Sequence, residues 1–171
     1  EFNTRGILID AYSICSGTHM NCAGGSIEGM KWLSCEETSI GQVYECDPYG
    51  NNPSKVLPAL GRFKHEAIAE DFLKKYLYLT EDTPDGGFYR FIPDSLTKEG
   101  NIDFSSGKLQ IAVLNGDNQE GKIEWENIKD PNPPIWQILL KINELRYQVK
   151  NSAKFNGGEG IAYYQGKIYF A

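Results

Sequence analysis

Histidine is nearly missing from this chain, with only His19 and His65 among 171 residues. The four cysteines, Cys15, Cys22, Cys35 and Cys46, include no CxxC pair. A zinc site of the His/Cys kind is therefore hard to assemble. Four cysteines allow three disulfide pairings, and the spacing selects none of them. Basic charge is also short: 17 Lys and Arg stand against 23 Asp and Glu, for a net charge of −6. No basic cluster is dense enough to displace counterions from a phosphate backbone, which excludes a nucleic-acid partner. No apolar run reaches the roughly 18 residues of a membrane-crossing helix. An initiator Met is missing too, and Glu1-Phe2 is expected to be an excised end or a cloning scar.

What remains is an ordinary globular composition, 40% hydrophobic and 12% aromatic, long enough for one sizeable core. The acidic balance fits a protein that holds cations. An internal repeat organises the chain. CEETSIGQVYECDP (Cys35–Pro48) aligns without gaps on TEDTPDGGFYRFIP (Thr80–Pro93), a shift of forty-five residues. Glu36 falls on Glu81, Thr38 on Thr83, Gly41 on Gly86, Tyr44 on Tyr89 and Pro48 on Pro93, while Glu37 exchanges for Asp82. A second match places Phe63–Thr80 on Phe155–Ala171, so that Glu66-x-Ile68-Ala69 becomes Glu159-x-Ile161-Ala162. Its shift is about twice the first.

Each unit reads as β. Short aromatic or β-branched runs at Gly29–Glu37, Gln42–Cys46, Tyr76–Thr80, Phe88–Ile92, Lys108–Leu114 and Lys167–Ala171 are bounded by Gly, Pro, Asn and Asp. TPDGG between two of them is a hairpin connection. Short strands recurring at this period predict four-stranded propeller blades. A β-sandwich is the architectural alternative, but it does not predict a gapless repeat. One stretch departs from the pattern: 133–153 spaces Ile135, Ile138, Leu139, Ile142 and Leu145 as a helix with Pro133 and Pro134 at its start. The expectation is mainly β, a single partial β-propeller domain over 1–171, with one inserted helix at 133–153 packed on the rim.

In a propeller the innermost strands surround a channel, so equivalent blade positions converge on the axis. The repeat sets Glu36/Glu37 against Glu81/Asp82 and Glu66 against Glu159, with Asn21-Cys22 in the Glu66 slot of the first unit. Several carboxylates and one thiolate gathered this way repel, unless cations neutralise them. Carboxylates suit calcium, and a thiolate among them suits a transition metal such as iron. Strand alternation keeps Glu36 and Glu37 from both pointing inward, and the pattern does not choose between them. Taken singly, each acid also reads as a solvated loop-end residue, and Cys22 as a structural thiol; the recurrence favours a site.

The same residues carry a resemblance. N-C-A-G-G (Asn21–Gly25), W-L-S-C-E-E (Trp32–Glu37), G-R-F-K-H-E (Gly61–Glu66), Y-L-T-E-D (Tyr78–Asp82), F-Y-R-F (Phe88–Phe91) and G-E-G-I (Gly158–Ile161) occur in this order. The ordered set resembles the PhoX-type alkaline phosphatase family. The resemblance implies a six-bladed β-propeller exported to the periplasm or outside the cell. It also implies an iron and calcium cluster in the central channel and a small phosphomonoester substrate. Cys22 matches the iron-binding cysteine; Glu36 or Glu37, Glu66 and Glu159 match acidic positions for iron or calcium, and Asp82 is a looser match. Two departures stand out. Ser26–Gly29 reads S-I-E-G where the family usually has T-P-W-G, and no R-P-E motif follows. About three to four blades of six are expected here, with the missing blades supplied by the rest of a parent chain or by a partner. The expected function is metal-dependent phosphomonoester hydrolysis by the parent, with little activity in the isolated fragment. The alternatives are a non-catalytic calcium-binding propeller segment and a calcium-dependent propeller lactonase or phosphotriesterase.

Overall fold

Three antiparallel sheets follow one another along the chain in a computed structural model that describes residues 1–115 and 121–171. Strands β1 (Asn21–Ile27), β2 (Lys31–Glu36), β3 (Val43–Cys46) and β4 (Lys55–Val56) pair in chain order. The second sheet runs β5 (His65–Asp71), β6 (Tyr76–Glu81), β7 (Phe88–Pro93), β8 (Gly107–Asn115) and β9 (Lys122–Asn127), again each beside the next. A hairpin of β10 (Ile161–Tyr164) and β11 (Lys167–Phe170) opens the third. Gln165 and Gly166 join its strands with positive φ at both positions, the turn that matches the right-handed twist of a two-residue hairpin. The three first strands pack side by side, β1 against β5 and β5 against β10. These are successive propeller blades with β1, β5 and β10 innermost.

Interleaved blade faces form the core. Leu33, Cys35 and Val43 from the first sheet meet Ile68, Leu77, Leu79, Tyr89 and Phe91 from the second in one buried cluster. A smaller cluster, built on Tyr78, Phe88 and Ala112, receives Phe155, Ile161, Ile168 and Phe170 from the third unit. Cys35 is a core residue here, and all four cysteines are free thiols. The Gly24-Gly25 pair has a packing reason. A Cβ on Gly25 would sit 2.1 Å from the Ile68 carbonyl oxygen, and one on Gly24 would sit 2.0 Å from that of Leu33. Only glycine lets the β1 backbone lie against β5 so closely.

The helical spacing at 133–153 is realised as a five-residue helix α1 (Ile135–Leu139) and a separate 3-10 turn at Leu145–Tyr147. Lys141 at φ 55 breaks the run, and neither segment has a side-chain cap. Of the five apolar residues in that pattern, Ile138 and Leu145 are buried while Ile135, Leu139 and Ile142 face solvent. Among the described residues, no helix is long and apolar enough to cross a membrane.

Candidate metal centre

The innermost strands β1 and β5 each carry a β-bulge near their start. Pairing passes from Asn21↔Glu36 to Gly24↔Ser34 in one and from His65↔Glu81 to Ile68↔Leu79 in the other. The extra residue of a bulge re-aims a side chain off the regular pleat. Cys22 and Glu66 follow Asn21 and His65 inside these irregularities, so they occupy one slot in two blades, as the repeat implied. The residues after β2 and β6 are placed alike. The Glu37 N–H donates to the Met20 carbonyl at 2.9 Å, and the Asp82 N–H to that of Lys64 at 3.2 Å.

Three donors converge. Cys22 Sγ and one carboxylate oxygen each from Glu37 and Glu66 all lie within 4.8 Å of one another. The Cys22 thiol donates to Glu66 Oε1 at 3.2 Å. Glu66 is buried, Glu37 half-buried and Cys22 exposed, so the group opens to solvent on the thiol side. Lys64 lies across its edge, with Nζ 3.0 Å from Glu37 Oε1 and 2.6 Å from Asp82 Oδ2. Glu36 belongs elsewhere. Its Oε1 accepts the His19 N–H at 2.9 Å and its Oε2 the Gln42 N–H at 3.0 Å, clasping the turn between β2 and β3. Glu81 does the same forty-five residues on, accepting the Gly87 N–H on Oε2 at 2.7 Å. Glu159 is exposed, outside the three-donor group, and joined to the second blade by its backbone carbonyl, which accepts from Thr80 Oγ1 at 2.8 Å.

The electrostatics are those of an anionic cluster short of cations. The hydrogen bond to Glu66, then burial and Glu37, push the Cys22 thiol up to about 11. Burial raises Glu66; the thiol hydrogen bond opposes this, and the charges of Glu159, Glu37 and Asp82 add to it. Asp82 is held below the usual carboxylate range by its bond to Lys64. A thiolate with two carboxylates is a donor set for a transition metal such as iron, and the carboxylates around it suit calcium. The residues present therefore fit the ions that the resemblance implied, and the structure groups Glu37, rather than Glu36, with Cys22 and Glu66.

Lys64 sits within G-R-F-K-H-E two residues before Glu66, where its residue type alone carries no sign of this contact. The nearby Glu81–Arg146 pair has no local sequence signal either. Arg146 donates to Glu81 at 3.0 Å, to Asp85 at 3.1 Å and to Glu144 at 2.9 Å, and Tyr89 donates to Glu81 at 2.8 Å. Arg146 lies more than sixty residues from Glu81, and nothing local in the sequence signals that contact.

A family model described as alkaline phosphatase PhoX matches residues 38–171. No curated protein matches the chain. A solved structure, Pseudomonas fluorescens PhoX in complex with vanadate, a transition state analogue, is 21% identical with a TM-score of 0.58. The match covers 75% of this chain and 26% of that one, so the chain spans about a quarter of that structure. That likeness shows the propeller-type fold. By the family model, which takes in most of its length, the chain belongs to the PhoX alkaline phosphatase family.

Proposed function

We propose that this chain forms one wall of the metal centre of an exported, iron- and calcium-dependent phosphomonoester hydrolase. The observation that carries the reading is the meeting of Cys22, Glu37 and Glu66 within 4.8 Å of one another, at bulged blade positions beside the channel. Cys22, Glu37 and Glu66 would hold iron, and Asp82 and Glu159 are the carboxylates beside them available to calcium. Bound there, the ions would polarise phosphoryl oxygens and neutralise developing charge. The chain's own residues set the stage. The bulges aim the thiol and the Glu66 carboxylate at one point, and Lys64 fixes the Glu37 and Asp82 carboxylates between them. Since the chain spans 26% of the PhoX structure it matches, the remainder of the substrate site falls to further blades.

Iron content tests the reading. Titration of the purified chain with ferric iron is expected to give saturable binding and a visible thiolate-to-iron absorption band that Cys22→Ser abolishes. A band that survives Cys22→Ser removes this residue from the site, and failure to bind iron at all sinks the proposal. Hydrolysis of lactones but not of p-nitrophenyl phosphate by the intact protein would favour a calcium-dependent propeller lactonase instead.

A further inference from the structure

Further along the same inner strands lies a second cavity, of about 320 Å³, between β1, β5 and β10. Aromatic side chains line it from three blades' worth of chain: Trp32, Phe72 and Tyr163, the last two in edge-to-face contact at 5.9 Å between ring centroids. One acid lies among them. Glu70 is 2% exposed, its Oε2 accepts the Glu28 N–H at 2.7 Å, and its Oε1 has no hydrogen-bond partner among the described residues. Lys75, whose charge acts on Glu70, is paired with Glu28 and not with Glu70. A carboxylate withdrawn from water with one oxygen unanswered is costly, and a complementary charge removes that cost.

We infer that this cavity binds a small organic ammonium ion, with Glu70 as its counter-charge and the Trp32, Phe72 and Tyr163 rings around its alkyl groups. Aromatic faces beside a carboxylate are the recognised surroundings of alkylammonium groups. A hard metal cation is a poor fit. Calcium takes six to eight oxygen ligands, and the side-chain oxygens of this lining come from Glu70, Ser26 and Tyr163 alone. Burial raises the Glu70 carboxyl, the Glu28 N–H and Lys75 oppose the rise, and a bound cation would oppose it further. The site is separate from the metal centre and does not rest on the phosphatase reading. Four residues along β5 part Glu66 from Glu70, roughly 13 Å at the strand rise, too far for one phosphoethanolamine-sized molecule to touch both.

Calorimetric titration of the metal-free chain with choline and with tetramethylammonium, monitored in parallel by tryptophan fluorescence, tests this. Saturable binding is expected, weakened at least about tenfold by Glu70→Gln, a loss of roughly 1.4 kcal/mol. Tyr163→Leu, at a half-buried position on the cavity rim, supplies a second variant should Glu70→Gln fail to fold, and the same loss is expected of it. No saturable binding by the native chain, equal binding by both variants, or displacement of choline by millimolar calcium would each overturn the assignment.

Discussion

At the end of β2 the Glu36 carboxylate accepts two backbone N–H groups, and the His19 Nδ1 lies 4.0 Å from it. At the end of β6, Glu81 makes the same bond to the following strand but is 1% exposed and also takes the Arg146 guanidinium and the Tyr89 hydroxyl. The supporting glycines match as well. A Cβ on Gly41 would lie 2.1 Å from the Glu36 carbonyl oxygen, and one on Gly86 would lie 2.2 Å from that of Glu81. So the identical residues of the two units build the hairpin. Cys22 and Glu66, one slot filled differently in the two units, meet Glu37 at the proposed metal centre.

The comparison can be broken at three points. Glu81→Ala leaves the Arg146 guanidinium and the Tyr89 hydroxyl without their shared partner, and should cost about 3–5 kcal/mol in urea unfolding. Glu36→Ala loses hydrogen bonds to two backbone groups and should cost about 1–2 kcal/mol. Equal losses would mean that the buried ion pair adds nothing to the clasp.

The second point is His65, which stands where the first sheet has Asn21. His65 is fully buried, its Nε2 lies 3.1 Å from the Gly61 carbonyl, and burial holds its pKa down to about 3. Its unfolded-state value is higher, near the ordinary 6.5. Below about 6.5 the unfolded chain therefore binds a proton that the native chain refuses. The contribution is fully present above that pH and is lost as pH falls toward about 3, at a slope of up to roughly 1.4 kcal/mol per pH unit. His65→Asn, which copies the first sheet, should flatten the slope in denaturation curves across this range. Coincident slopes would show that the imidazole accepts its proton inside the core.

The smallest effect is at Lys64, whose counterpart in the first unit is Met20. Its ion pairs are partly solvated, so Lys64→Met should change stability by less than about 1 kcal/mol. Iron affinity should fall more clearly, because Glu37 loses the ammonium that fixes it. An unchanged iron titration would reduce Lys64 to surface charge.

Much of this was legible in the sequence. The runs Gln42–Cys46, Tyr76–Thr80 and Phe88–Ile92 fall on β3, β6 and β7 with ends displaced by a residue or so, because alternation and turn residues are local signals. The slot shared by Cys22 and Glu66 was readable because a repeat transmits blade position. The choice between Glu36 and Glu37 was not, since it depends on a turn whose backbone N–H of Gln42 captures the first carboxylate. The apolar spacing at 133–153 promised a longer helix than α1, since a 3.6-residue pattern cannot register the left-handed Lys141. Glu70 carried no signal at all, as an acid within an apolar strand shows its burial only once β1 and β10 flank it.

The glycine contact between β1 and β5 fixes a dimension. Because main chain rather than side chain sets the closest approach there, the spacing of β1 and β5 does not depend on the size of the side chains at Cys22 and Glu66. The slot can carry a thiol in one blade and a carboxylate in the next at one interstrand spacing, which leaves donor chemistry free to vary.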